Sequence, residues 1–328
     1  MGYRLEVGES VPKGLRRIVR EEIESAEEYL GGKKKGGPDE AIHEARKSLK
    51  KVRAVLRLAQ GELGATYDKE NDGLRAIAAD LSEIRDAAAI IETFDQLPDA
   101  KNFAPVRQRL IERKKQMEAA KDRDAVMEQA ALALRRLGKR VRTWPLKTTG
   151  FDAVAPGLEG RYRRGRRAMK VAAETQTPEC FHEWRKRVKD HWYHTRLLES
   201  LWTEEMQARE KSLKELETWL GDDHNLFVMR GLISADPAAF GETVMVDALL
   251  DLIDDRQKEL RRNALSLGAR VYDEKPKAFL RRVEHLWQEW QNRPKDLEKQ
   301  EVETGKAESD RKPASKAGRS PRAGARVA

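Results

Sequence analysis

The chain has a single cysteine, Cys180, in 328 residues. That excludes an intramolecular disulfide framework and any zinc site built from several thiolates. No apolar run approaches the roughly 20 residues of a membrane-spanning helix. The first ten residues hold no hydrophobic signal core, so the cytoplasm is the expected compartment. Aromatic residues are scarce, and the alternating pattern of strands is weak throughout. An all-α protein is the reading that remains.

What the chain has is charge. Lys and Arg outnumber Asp and Glu by 65 to 56, a formal net charge of +9. The balance points to a polyanionic partner: nucleic acid, an anionic membrane or polyphosphate. Acids are also abundant, so the basic character has to be concentrated locally.

One stretch concentrates it. Ile42-His43-Glu44-Ala45-Arg46-Lys47-Ser48-Leu49-Lys50-Lys51-Val52-Arg53 has a second copy at Phe181-His182-Glu183-Trp184-Arg185-Lys186-Arg187-Val188-Lys189. Both read His-Glu-x-Arg-Lys-x-x-Lys. On a helix, His43, Arg46, Lys47, Lys50, Arg53 and Arg57 share one stripe, beside an apolar stripe of Ile42, Ala45, Leu49, Val52 and Leu56. Like charges at i,i+4 repel by a few tenths of a kcal/mol per pair, roughly. Two copies of so crowded a face point to a polyanion that meets it.

The spacing predicts helices over 13–30, 39–60, 65–97 and 103–143, then 158–174, 177–202, 204–220, 224–234, 240–267 and 276–291. Asp39 is expected to cap the second helix, and Thr177-Pro178 to open the sixth. Residues 150–157 read as a linker. Residues 293–328 read as a disordered basic tail, without acid from Arg311 onward.

His43 and His182 are 139 positions apart, as are Arg46 and Arg185, Lys47 and Lys186, Lys50 and Lys189, and Arg57 and Arg196. The same offset links Leu81-Ser82-Glu83-Ile84-Arg85-Asp86 to Leu220-Gly221-Asp222-Asp223-His224-Asn225. It predicts an internal duplication: two pseudo-symmetric helical bundles, about 1–145 and 155–292, each large enough for a bundle of its own, packed around a central basic cavity.

The paired His-x-x-Arg-x-x-x-Lys helices, each followed by a Leu-Gly-x-x-Arg/His-Asp-like motif, resemble the CHAD (conserved histidine α-helical domain) family over about residues 1–292. The resemblance implies two helical bundles around a basic pore and binding of inorganic polyphosphate. Carried residue by residue, the family's binding positions fall on His43, Arg46, Lys50, Lys51 and Arg53, and on His182, Arg185 and Lys189. The second copy departs at Asp190 and Trp192, where the first has Lys51 and Arg53, so a weaker second site or one using Arg196 and Tyr193 is expected.

The residue types suit such a ligand. Arg46 and Arg185 can grip phosphate oxygens bidentately; Lys47, Lys50, Lys186 and Lys189 act as point charges. His43 and His182 are expected in the first turns of their helices, as pH-sensitive donors beside free N–H groups. The positions that repeat, Arg57 and Arg196 included, are expected to contact phosphate. Arg16, Arg20, Arg163 and Arg167 are further candidates for the same groove. Arg85 and His224 are expected either there or bonded within the bundle to Asp86 and Asn225.

His191 and His194 form a His-x-x-His pair without a third ligand, and His191 lies on the apolar stripe; a core histidine is expected rather than a metal ligand. Neither metal nor cofactor is expected. Three functions remain in view. The first is a non-catalytic polyphosphate-binding module, placed at polyphosphate granules or presenting the polymer to a separate triphosphate-tunnel or other polyphosphate-metabolising enzyme. The second is a nucleic-acid binder. The third is a metal-dependent phosphatase, for which Asp222 and Asp223 are the best carboxylate pair, although a helix N-cap explains them as well.

Overall fold

The computed structural model describes residues 2–119 and 122–293; of residues 83–86 only the backbone is described. The tail residues 294–328 and the Arg85 side chain lie outside the described residues. Among the described residues twelve α-helices follow one another: α1 (Val11–Leu30), α2 (Pro38–Leu58), α3 (Gln60–Leu63), α4 (Ala65–Asp80), α5 (Ser82–Asp95), α6 (Ala104–Ala119), α7 (Arg123–Val141), α8 (Ala155–Thr175), α9 (Pro178–Leu197), α10 (Thr203–Ala235), α11 (Thr243–Val271) and α12 (Pro276–Asn292). No strand occurs among the described residues.

The apolar stripe of α2 is the reason that helix sits where it does. Ile42, Ala45, Leu49, Val52 and Leu56 are all 0–1% exposed. Burying such a side chain stabilises by roughly 1.5–3 kcal/mol. Thr177 caps α9, accepting a hydrogen bond from the Cys180 N–H, and Pro178 occupies the first turn. Asp39 is not a cap. Gly37 precedes α2, and Asp39 sits inside the first turn, paired with Lys114 and Arg123.

Three expected stretches are divided or joined differently in the structure. The helix expected over 65–97 breaks at Leu81, where the Ser82 hydroxyl donates back to the Ala78 carbonyl. The one expected over 103–143 is two helices, α7 being capped by Asp122. The two expected over 204–234 are a single helix, because Gly221 lies buried inside α10, where a Cβ would press on the Arg185 guanidinium. Asp222 and Asp223 are therefore mid-helix, not N-caps.

Hydrophobic contact does not divide the molecule at residue 150. One core joins α1, α2, α4 and α7 to α8, α9, α12 and the first half of α10. A second core joins α5 and α6 to the end of α10 and to α11. Each core therefore draws on both halves of the chain. The two motif helices, α2 and α9, pack against each other.

Candidate functional site

The contact between α2 and α9 fixes which cations meet. Helix α2 brings Arg46 and Lys50; α9 brings His182, Arg185 and Lys189; α10 adds Lys214, Glu217 and His224. Burial, then Lys189, Arg46 and Arg185, lower the pKa of Lys50 to about 7. Lys50 nonetheless keeps an exposed surface. Both observations hold for an ammonium crowded by cations on one side and open to solvent on the other. Lys189, on the other helix, is held at about 8 by burial and by Arg185. Cations from both halves of the chain thus act on one another at one place.

A carboxylate sits among them. Glu217 Oε1 accepts from Lys189 Nζ at 3.0 Å and from Arg185 Nη2 at 3.4 Å, while Oε2 accepts from Lys214 Nζ at 3.1 Å. Burial alone would raise its pKa, but Lys189, Arg185 and Lys214 outweigh that and hold it at about 2. The Arg46 guanidinium donates to Ser82 Oγ and to the Ala78 carbonyl, at the first-half counterpart of Gly221. The small residue of the second motif thus packs on the arginine of the first motif in both halves.

The imidazoles of His182 and His224 lie against each other, tilted by 31°, with ring centroids 3.9 Å apart. Burial and the neighbouring cations lower both pKa values, that of His224 to about 4. Of the two places expected for His224, the structure shows it against His182; Asn225 turns instead to Thr93. His43 and His182 are the sixth and fifth residues of their helices, one turn beyond the free N–H groups expected to help them. Two buried nitrogens in the cluster, Arg185 Nε and His182 Nδ1, have no hydrogen-bond partner among the described residues. Such groups are uncommon in folded proteins and call for a polar partner.

Lys47 and Lys186 point outward, each paired with the glutamate of its own motif, Glu44 or Glu183. His43 is half exposed, 3.8 Å from Glu44. The other sequence candidates are committed elsewhere. Lys51 pairs with Glu22 at 2.6 Å. Arg53 donates to Asn71, its pKa lowered to about 10 by burial and by Arg57. Arg57 pairs with the buried Asp190 of α9 at 2.7 Å. Arg196 pairs with Glu210 and lies over the Trp192 and Tyr3 rings. The residues by which the second copy departs, Asp190 and Trp192, therefore build contacts: Asp190 anchors α2, and Trp192 takes Arg196 and Lys214 as cation–π partners.

Arg16 does not join the cluster; it donates to the carbonyls of Trp144 and Leu146. Arg20 lines a separate concavity of about 570 Å³ between α1 and α7, with Arg135, Lys139 and Arg142. Arg163 pairs with Glu159 on the exposed side of α8, and Arg167 is exposed one turn on. His191 and His194 are buried core histidines, as expected: Arg209 donates to His191 Nε2, and His194 Nε2 lies 2.9 Å from the Ala54 carbonyl. Asp223 is held by Arg261 and Gln257.

Glu217 and Lys214 went unnoticed in the sequence. The signal was there: Glu217 is the one acid within the apolar stripe Leu213, Leu216, Leu220, and a buried carboxylate requires partners.

A family model described as the CHAD domain matches residues 17–234. The crystal structure of the CHAD domain from the plant Ricinus communis is similar to this one with a TM-score of 0.58, covering 80% of this chain and 94% of that chain. Identity between the two is 18%, so that likeness speaks for the fold alone. No curated protein matches the chain. The family model spans well over half of the sequence, takes in both cationic motifs, and is joined by a matching fold: the chain belongs to the CHAD domain family.

Proposed function

We propose that the cluster between α2 and α9 binds inorganic polyphosphate without hydrolysing it. The observation that carries this reading is the meeting of cations from both halves where α2 packs on α9: Lys189 and Arg185 of α9 act on Lys50 of α2 beside Arg46. Positive charge held so closely is relieved by an anion with charges at short, regular intervals, which polyphosphate has. Arginine supplies bidentate donors, and lysine supplies point charges. The Arg185 Nε–H, and the His182 ring when Nδ1 carries the proton, would find phosphate oxygens as acceptors. In this reading the two motifs are copies from a duplication, and their cationic faces line one basic pore. The chain would hold the polymer at granules or present it to a separate polyphosphate-metabolising enzyme.

A nucleic-acid reading fares worse here. Trp192 already takes Arg196 and Lys214 as cation–π partners, and these compete with a base for its ring.

The test is the double variant Arg46→Ala/Lys50→Ala, which leaves the partners of Glu217 in place. Helical circular dichroism should stay unchanged while polyphosphate affinity, measured by calorimetry, falls by about a hundredfold, the loss of two charge-assisted contacts. An affinity within about twofold of the parent, or equal affinity for single-stranded RNA in about 150 mM salt, where the Debye length is ~8 Å, overturns the reading.

A further inference from the structure

We propose that Glu217 is the resident counter-anion of this cluster and sets its preference for chains of phosphate over single phosphate. The inference rests on the polyphosphate reading. Glu217 is 6% exposed and holds donors from three side chains, Lys189, Arg185 and Lys214. Its charge also reaches Lys50 across the contact between α2 and α9, in the favourable sense. One carboxylate therefore serves cations from both halves.

An incoming phosphate asks for the same donors. Arg185 Nη2 and Lys189 Nζ cannot turn fully to a ligand while they serve Glu217, and a carboxylate beside a bound phosphate repels it. A single phosphate brings one centre of charge and gains little by competing. A chain of phosphates reaches the donors on α2 and on α9 together, and its second contact is formed at high effective concentration. A single phosphate seated on Arg185 and Lys189 takes the full penalty of the Glu217 charge, whereas a chain held also by the donors on α2 can lie farther from Glu217 and takes only part of it. The device belongs to the second half alone: the position 139 residues earlier is Ala78, whose carbonyl receives Arg46.

The test compares Glu217→Gln with Glu215→Gln. Glu215 is exposed on the same helix, and its loss changes net charge equally. Orthophosphate and triphosphate are titrated into the full chain by calorimetry. Glu217→Gln should bind orthophosphate about tenfold more tightly and narrow the affinity ratio between the two ligands, while Glu215→Gln moves both by less than about twofold. An unchanged or wider ratio, or weaker binding of both ligands, overturns the proposal and assigns Glu217 to positioning. If Glu217→Gln does not fold, Glu217→Asp retracts the charge by one methylene; it should narrow the ratio less, and no narrowing counts against the proposal. Parent protein that binds polyphosphate while the ratio stays fixed refutes the role of Glu217 alone. Parent protein that binds no polyphosphate refutes the function and this inference together.

Discussion

Lys50 and Lys189 are amines held below their ordinary range, at about 7 and about 8. In each case burial is the first cause and neighbouring cations follow. The sign of the consequence differs between folding and binding. In the unfolded chain a lysine keeps its proton to beyond pH 10, so from about pH 7 to 10 the folded state binds fewer protons. The contribution of these two groups to stability therefore rises with pH through that window. An anion favours the charged amines, so binding takes up protons there. Polyphosphate affinity should fall between pH 7 and pH 9, while the ligand-free protein gains stability. Calorimetry in two buffers of different ionisation enthalpy should show net proton uptake near pH 8. No uptake would mean that the two amines do not meet the ligand.

At the scale of elements, the contact between α2 and α9 is the joint on which the site depends. Arg57 reaches across to Asp190, and His194 lies against the Ala54 carbonyl. Helix α8 comes so close that a Cβ added at Gly157 would fall on the carbonyl group of Leu58. The Asp190 side chain is 4% exposed. Removing Arg57 would leave that carboxylate buried without its partner, which costs about 3 kcal/mol. Arg57→Ala should therefore lower the urea midpoint markedly while polyphosphate affinity, measured where the variant is folded, falls far less than for Arg46→Ala/Lys50→Ala. The opposite ranking would return Arg57 to the ligand. The repeat made Arg57 look like a phosphate contact because it shows which residues share a face, not which acid from another helix arrives there.

For the whole molecule, the two cores decide whether the halves are independent. Each core mixes residues from before and after residue 150, and the second core brings α5 and α6 against α10 and α11. A fragment covering 2–145 would expose apolar surface along α2 and α5 that is buried in the full chain. Expressed alone, it should show no cooperative thermal transition, whereas the full chain should unfold cooperatively. A sharp transition in the fragment would restore the view that each half is a bundle of its own. Among the described residues no helix is long and apolar enough to cross a membrane.

The helical class, the buried stripe of α2, the Thr177 cap and the pair of cationic motifs were legible because each is local. Helical periodicity and capping depend on neighbours within a few positions, and those neighbours are written in order along the chain. The family resemblance rests on the same local patterns, kept at one spacing. Which charges stay available was not legible. Lys50 and Lys51 are adjacent in sequence, yet Lys51 is neutralised by Glu22 while Lys50 is crowded by cations from α9. Arg46 and Arg57 lie on one predicted stripe, yet they meet Ser82 and Asp190. Coulomb energy depends on distance through space, and only the packing of α2 against α9 and α10 sets those distances.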